Sequence, residues 1–275
     1  MTYWQGIINL VYEHQQQETK VKSVFSQAPF KIQNSFYPEG KSICHSVILH
    51  TAGGVAGDDI LSQNIHLSPQ SQVLITTPAA TKIYRCLGKT AIQDIKIQLD
   101  NNCYLEYLPQ EMIVFNQANF EQKMRVNLAE NASYLGWEII RFGRSARGEI
   151  FNQGKWLNYL EIYRENKPIW LDRQYFSGES QLFYSLNGLK GNPVVGNLVY
   201  IVSGYLDDYI AFLRHLLREK YGDNLSLGIT TLQEGLLCRY WGDSVSKAKE
   251  YFTFIWQFLR EKRGFNGNFK PRVWQ

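Results

Sequence analysis

Hydrophobic and polar residues alternate along much of the chain with a period of two, which is typical of half-buried β-strands. The clearest case is the segment 120–128, where one face carries Phe120, Gln122, Met124, Val126 and Leu128. The segment 94–99 repeats the pattern. The other extended segments predicted in the first two thirds are Ser42–His50, Gln72–Thr77, Cys103–Leu108, Met112–Phe115, Tyr134–Phe142, Trp156–Arg164 and Ile169–Phe176. Strands that follow one another without intervening helices indicate a mainly β body of stacked sheets, resembling a β-solenoid.

The C-terminal third changes to the three- and four-residue spacing of amphipathic helices. Asp207–Tyr221 and Ser244–Lys262 each carry an apolar stripe, and Gly222 and Gly264 follow their ends. Strands are expected between them, at Leu225–Leu232 and Gly235–Trp241. Because there is no linker, low-complexity run or internal repeat, we treat residues 1–275 as one domain.

Composition narrows the class of protein. Aromatic residues make up 14% of the chain, which favours strands over Ala- and Leu-rich helix bundles. No apolar run approaches the roughly 20 residues of a membrane span, and the first residues do not resemble a secretory signal. The four cysteines lie far apart and without CxxC pairing, so we expect reduced thiols and a cytoplasmic protein.

The positive charge is confined to one end of the sequence. The net charge is +4, and residues 258–275 alone contribute five basic residues against Glu261. The remainder of the chain is therefore neutral, which argues against a nucleic-acid-binding face. A basic tail either keeps the protein soluble or meets an acidic partner.

The familiar catalytic motifs are missing from the sequence. There is no GxGxxG, Walker loop, HExxH or GxSxG. Cys44, His45 and His50 are close in sequence, but on a strand they cannot all reach one ion, so we predict no stable metal site and no tightly bound cofactor.

Four segments are unusually polar for a plain β body: Gly53–Asp59, Thr77–Arg85, Leu105–Glu111 and Gly143–Glu149. Taken singly, each is explained by a tight turn, a strand end or a structural ion pair. Taken together, they indicate a polar seam through an apolar body, since isolated buried carboxylates are too costly to be common.

The order and spacing of these four segments resemble those of the urease accessory protein UreD family, also called UreH. The resemblance extends to Ala28–Lys31, Phe36–Pro38 and Pro271–Trp274, and so covers nearly the whole chain. It implies a mostly β stack of sheets with two helices and no catalytic reaction. It further implies binding to UreF, recruitment of the GTPase UreG through UreF, and docking of the assembly on apo-urease, where nickel is inserted.

The family resemblance also implies a polar tunnel as the nickel route. Matching the motifs residue by residue nominates Asp59, Thr81, Glu111 and Glu149, with Glu106 and Lys82 as weaker choices because either can simply close an ion pair. Carboxylate and hydroxyl oxygens bind nickel less firmly than Cys and His clusters do, which suits an ion in transit.

Two other classes of protein stay open on the sequence. One is a passive scaffold, in which the motifs only fold the body and bind partners. The other is a carbohydrate hydrolase using Glu106 and Glu111 as acid and base, which their odd spacing on one strand disfavours.

The C-terminal tail combines aromatic and basic residues, a composition typical of interface anchors. We expect Phe265, Phe269, Arg272 and Trp274 to dock on a partner, with UreF favoured. Deletion of the tail would then leave a soluble protein that no longer binds UreF. The alternative is that the tail folds back and packs its aromatic rings against the body.

Overall fold

The computed structural model describes residues 4–86, 88–144, 147–204, 206–266 and 268–274. Its strands are β1 (Gln5–Gln15), β2 (Glu18–Gln27), β3 (Phe30–Ile32), β4 (Ile43–His50), β5 (Ile60–Leu67), β6 (Gln72–Thr76), β7 (Thr81–Ile83), β8 (Ala91–Leu99), β9 (Tyr104–Leu108), β10 (Met112–Val114), β11 (Ala118–Leu128), β12 (Ser133–Phe142), β13 (Gly154–Arg164), β14 (Lys167–Ser177), β15 (Val194–Ile201), β16 (Leu227–Leu232) and β17 (Gly235–Gly242). Its helices are α1 (Asp207–Tyr221) and α2 (Val245–Lys262).

The strands form two sheets, and from β4 to β13 the chain passes back and forth between them. The first sheet has the order β14-β13-β11-β8-β5-β1-β2, and the second runs β16-β17-β15-β12-β9-β6-β4-β3. The strands β5, β8, β11 and β13 pair in parallel in one sheet, as do β4, β6, β9 and β12 in the other. Each passage adds one strand to each sheet, which is the winding of a solenoid.

The two sheets differ in how their faces are buried, and the sequence pattern reflects it. Strands of the first sheet alternate: in β11, the even-numbered residues from Ala118 to Leu128 are buried and the others are less so. Strands at the centre of the second sheet are buried on both faces, as in β9, where all five residues are buried. Such strands read as continuous apolar runs instead of alternating ones.

Two hydrophobic cores follow from this arrangement. The first lies between the sheets and includes Ile8, Leu67, Val126 and Phe142. The second lies between the outer face of the second sheet and the two helices, and it includes Trp137, Leu213 and Trp256. The second sheet is therefore the middle layer of the molecule.

Most of the predicted elements are confirmed. Both helices lie where the spacing places them, and the Ser244 hydroxyl caps α2 by accepting a hydrogen bond from the backbone N–H of Lys247 at 3.3 Å. The structure adds strands that are not among the predicted segments, namely β1, β2, β3, β5, β7 and β15. Within the described residues, no helix is both long and apolar enough to cross a membrane.

Candidate functional site

A cavity of about 120 Å³, lined by apolar and polar side chains together, lies between the two sheets, inside the first core. At its rim are the exposed residues Gly53, Pro78 and Ala79, and its lining extends inward to the partly buried Glu138 on β12. A cavity of this size holds several water molecules if polar groups are present to bind them. The polar groups come from both sheets.

One wall of the cavity is formed by the amide side chains of Gln63, Gln93 and Gln122 on neighbouring strands of the first sheet, and Asn158 adjoins Gln122 outside the described lining. Gln93 on β8, Gln122 on β11 and Asn158 on β13 occupy the same level of the sheet, because they are direct partners in the strand register. Gln63 on β5 lies two residues further along its strand than the partner of Gln93. We call these four residues the amide ladder. Each occupies an inward position of its strand and is buried.

The opposite wall supplies the groups that bind the amide ladder. Glu138 accepts hydrogen bonds from the side-chain amides of Gln122 and, at 2.6 Å, Asn158. The hydroxyl of Tyr107 on β9 donates to the Gln63 Oε1 at 3.2 Å. These contacts bridge the two sheets and bring carbonyl, hydroxyl and carboxylate oxygens together between them.

Glu138 is the only carboxylate among the residues described as lining this cavity. Its pKa is set by opposing effects. Burial raises its pKa to about 7, and the negative charge of Asp172 adds to the rise. The hydrogen bonds from Asn158 and Gln122 favour the ionised form and limit the shift. Near neutral pH this group is therefore close to the midpoint of its titration.

The structure places Thr81 and Lys82 at the cavity and Asp59 just outside its lining. Thr81 begins β7, where its backbone N–H donates to the Glu111 carbonyl at 2.9 Å. Asp59 closes the glycine-rich turn, because its Oδ2 accepts from the Ala56 N–H at 2.8 Å. Gly54 lines the cavity mouth, and a Cβ there would lie 2.6 Å from the Lys82 carbonyl oxygen, so only glycine fits between this turn and β7.

Glu111 and Glu149 lie outside the described cavity lining, and each is held by a cation. The Glu111 carboxylate is 2.5 Å from the Lys249 ammonium on α2. Glu149 pairs with Arg144 and accepts from the Asn116 N–H at 3.2 Å. Partial burial opposes ionisation of Glu149, but Arg144 and the Asn116 N–H outweigh it and lower its pKa. Ser145 and Ala146 of this motif lie outside the described residues.

Glu106 belongs to the second core and faces away from the cavity. It accepts hydrogen bonds from the Tyr104 hydroxyl and the Trp256 indole, both at 2.9 Å, and it pairs with Arg260. Arg260 is fully buried and also pairs with Glu39. An ion pair is the alternative role that the sequence leaves for Glu106, and a closed ion network is what the structure contains. An acid–base pair with Glu111 is not assembled, since Glu106 is enclosed by these partners.

The C-terminal tail is folded against the second core. Phe265 stacks on Tyr104 with ring centroids 5.6 Å apart, and Phe269 meets the His45 ring edge-on at 4.9 Å. The Trp274 indole N–H donates to the Thr76 hydroxyl at 2.9 Å. This is the fold-back arrangement that the sequence analysis leaves as an alternative. Docking of this segment on UreF stays a prediction, with Arg272 as its exposed member.

The amide ladder and Glu138 carry the site, yet the motif comparison does not nominate them. A signal was present in the alternation, because Gln122 falls on the apolar face of its strand in place of a hydrophobic residue. The same substitution recurs at Gln63, Gln93 and Asn158. A polar residue at an inward position of several successive strands is costly unless the residues bind one another. The sequence alone does not reveal the strand register that brings them together.

The described part of the chain is thus a two-sheet solenoid with a cavity between its sheets, and comparisons with known proteins place it in a family of accessory proteins. The sequence model of the family described as UreD urease accessory protein matches residues 5–275. The urease accessory protein UreD of Nostoc punctiforme is 49% identical over 272 residues, covering 99% of this chain and 96% of the relative.

Two further relatives give the same result. The urease accessory protein UreD of Microcystis aeruginosa is 46% identical and covers 98% of both chains. That of a Synechocystis species is 37% identical, covering 93% of this chain and 95% of the relative. The chain therefore belongs to the UreD family of urease accessory proteins, and its role lies in urease maturation.

Proposed function

We propose that this protein is a nickel-insertion chaperone of urease, and that its internal cavity forms part of the path by which nickel reaches the apo-enzyme. The observation that carries the proposal is the convergence of Glu138 with the amide ladder inside the molecule. A scaffold has no evident need for a polar cavity in its core, because each buried polar group costs stability unless it is bound. Nickel is cargo on this path, and no tightly bound cofactor is proposed.

The chemistry of the lining suits an ion that must move on. A nickel ion leaves amide and carboxylate oxygen ligands more readily than it leaves clusters of thiolates and imidazoles, which hold borderline divalent ions firmly. Glu138 is the group that can compensate the charge of the entering cation. Since its pKa is about 7, a bound cation would favour the carboxylate and release the proton, and the ion's departure would reverse the change.

Only some of the residues nominated for the nickel path lie at the cavity mouth. Thr81 and Lys82 line the mouth, and Asp59 holds the adjoining turn. An ion would meet these groups before the amide ladder. Glu111 and Glu149 are already paired with Lys249 and Arg144, so their participation requires those ion pairs to open.

The partners we propose are UreF, the GTPase UreG acting through UreF, and the urease apoprotein. Within such an assembly, this protein would accept nickel from the GTPase side and pass it to urease. No enzymatic activity is proposed, and the setting is the cytoplasm.

The decisive experiment separates transit from scaffolding. Urease would be matured together with its accessory proteins, either with the wild-type chain or with Glu138→Gln, and its nickel content measured per active site. We expect the variant to remain in the complex by co-purification and yet deliver less nickel. Full nickel delivery by Glu138→Gln would favour the passive scaffold, and full activation of urease in the absence of this chain would refute the role in maturation as well.

A further inference from the structure

His50 lines the cavity, but the nickel path proposed above assigns it no role. It is the last residue of β4, and it lines the cavity near the mouth, beside Ala52 and the glycine-rich turn. Its ring packs nearly perpendicular to the ring of Phe30, with the ring centroids 5.8 Å apart. His50 therefore lines the same cavity as the glycine-rich turn and three members of the amide ladder, Gln63, Gln93 and Gln122.

The hydrogen bonding of His50 fixes which ring nitrogen carries the proton. Its Nδ1 lies 3.3 Å from the carbonyl oxygen of Ala52. A carbonyl oxygen can only accept a hydrogen bond, so the Nδ1 must be the donor. In the neutral ring the Nε2 then holds the free lone pair. Burial lowers the pKa of His50, against the opposing effects of the Ala52 carbonyl and Asp59, so the neutral ring is favoured at neutral pH.

The Nε2 lone pair has no hydrogen-bond partner within the described part of the chain, although the atom is buried. An unsatisfied buried acceptor is costly, so such an atom is normally bound by water or by an ion. Metal-binding histidines usually show this arrangement: one ring nitrogen is held by a backbone carbonyl, which orients the ring and leaves the other nitrogen free for the metal.

We propose that the Nε2 of His50 is a nitrogen ligand for the nickel cargo at the cavity mouth, and that it sets which ions enter. The inference rests on the proposed function, since it concerns the same cavity. A site made of oxygen ligands alone suits Mg²⁺, Ca²⁺ and Mn²⁺. An imidazole ligand favours nickel and other late transition metals instead. A single imidazole therefore gives preference over the abundant hard cations without the firm hold of a complete Cys and His site. It gives no preference over Zn²⁺.

Direct binding is tested on the full chain with nickel chloride as the probe. The protein is labelled with ¹⁵N in its histidine rings, and the ring signals are followed as paramagnetic Ni²⁺ is added in small steps. The His50 signals, assigned by their absence in His50→Gln, should broaden at lower nickel concentration than those of the other four histidines. The same amount of Mg²⁺ should leave them unchanged. Broadening of the other histidines with His50 unaffected would overturn the proposal.

Selectivity is tested during urease maturation, with Mg²⁺ in large excess over nickel. His50→Gln should deliver nickel about tenfold more slowly than the wild type, the lower end of the effect of disturbing a metal ligand's surroundings. The matched control is His66→Gln, because His66 also lies on a strand but is half-exposed and paired with Asp100 at 3.0 Å. That control should match the wild type.

The outcomes for His50 and for the path itself are distinguishable. If Glu138→Gln slows delivery but His50→Gln does not, the path stands and the ligand role of His50 falls. If neither variant slows delivery, the path fails, and the ring signals alone decide whether His50 binds nickel. Circular dichroism of each variant shows whether a loss comes from unfolding.

Discussion

Stability of the protein should depend on pH through Glu138, and the structure gives the size of the effect. Burial raises the pKa of this group from 4.5 to about 7 in the folded state. One pKa unit corresponds to about 1.4 kcal/mol, so full ionisation of Glu138 lowers the free energy of unfolding by about 3 kcal/mol. Because the folded state binds the proton more tightly, stability falls as the pH rises from about 4.5 and levels off above about 7.

The perturbation is Glu138→Gln, which removes the charge and nearly keeps the shape. The assay is urea unfolding at a series of pH values between about 4.5 and 8.5, with the free energy of unfolding extrapolated to water. The variant loses part of the hydrogen bonding to Gln122 and Asn158, which should cost about 1 kcal/mol at low pH. Above neutral pH it should be the more stable protein, by about 2 kcal/mol once that loss is subtracted.

The control for this experiment is Glu121→Gln, which removes a carboxylate from the outer face of β11, where it pairs with Lys123. Its stability should follow the pH dependence of the wild type. The quantity compared is the difference in free energy of unfolding between wild type and variant at each pH. Groups that titrate alike in both proteins do not contribute to it. Parallel curves for the wild type and Glu138→Gln would refute the reasoning, since they would mean that Glu138 titrates alike in the folded and unfolded states.

Three further changes test other parts of the structure. Arg260→Met should lower the free energy of unfolding by about 3–5 kcal/mol, because it leaves buried carboxylates without their cation. The midpoint of thermal unfolding should fall by roughly 10 °C or more. The control Arg125→Met, at an exposed position, should not reproduce this fall. Glu149→Gln should keep the circular dichroism spectrum and reduce the nickel content of matured urease; unchanged nickel would remove Glu149 from the path. Deletion of Phe265–Gln275 should reduce solubility, because the tail covers the second core. A soluble, folded product that no longer pulls down UreF would instead support docking of the tail on UreF, and retained pull-down would place that interface elsewhere.

The sequence predicted local structure best in elements with a long and regular apolar face. The period of two predicts β11, and the three- and four-residue spacing predicts both helices. The hairpin of β1 and β2 is hidden because its turn consists of Gln16 and Gln17, both at positive φ, instead of the Asn or Gly that normally mark such a turn. Without the usual turn residues, the sequence does not indicate where the two flanking strands end and begin.

The candidate site was harder to predict because it depends on register. The glycine-rich turn with Asp59 and the Thr81 segment are visible as motifs, and the structure does bring Thr81 to the cavity. Gln93, Gln122 and Asn158 lie on three different strands, and only the alignment of those strands makes them neighbours. Glu138 reads in sequence as one polar residue in an apolar strand, and its partners come from the other sheet.

The closure of the second core has a consequence for how fast this protein can fold. Arg260 meets Glu39 across 221 positions of the chain, and Trp274 meets Thr76 across 198. Contacts between such distant residues form only after the intervening chain has been ordered, because the entropy of closing so large a loop must first be overcome. The solenoid strands must therefore be wound before α2 and the tail can settle on them. Until then the outer face of the middle sheet, with Trp137 and Tyr104, is open to water and to other unfolded chains, so refolding should be slow and sensitive to protein concentration.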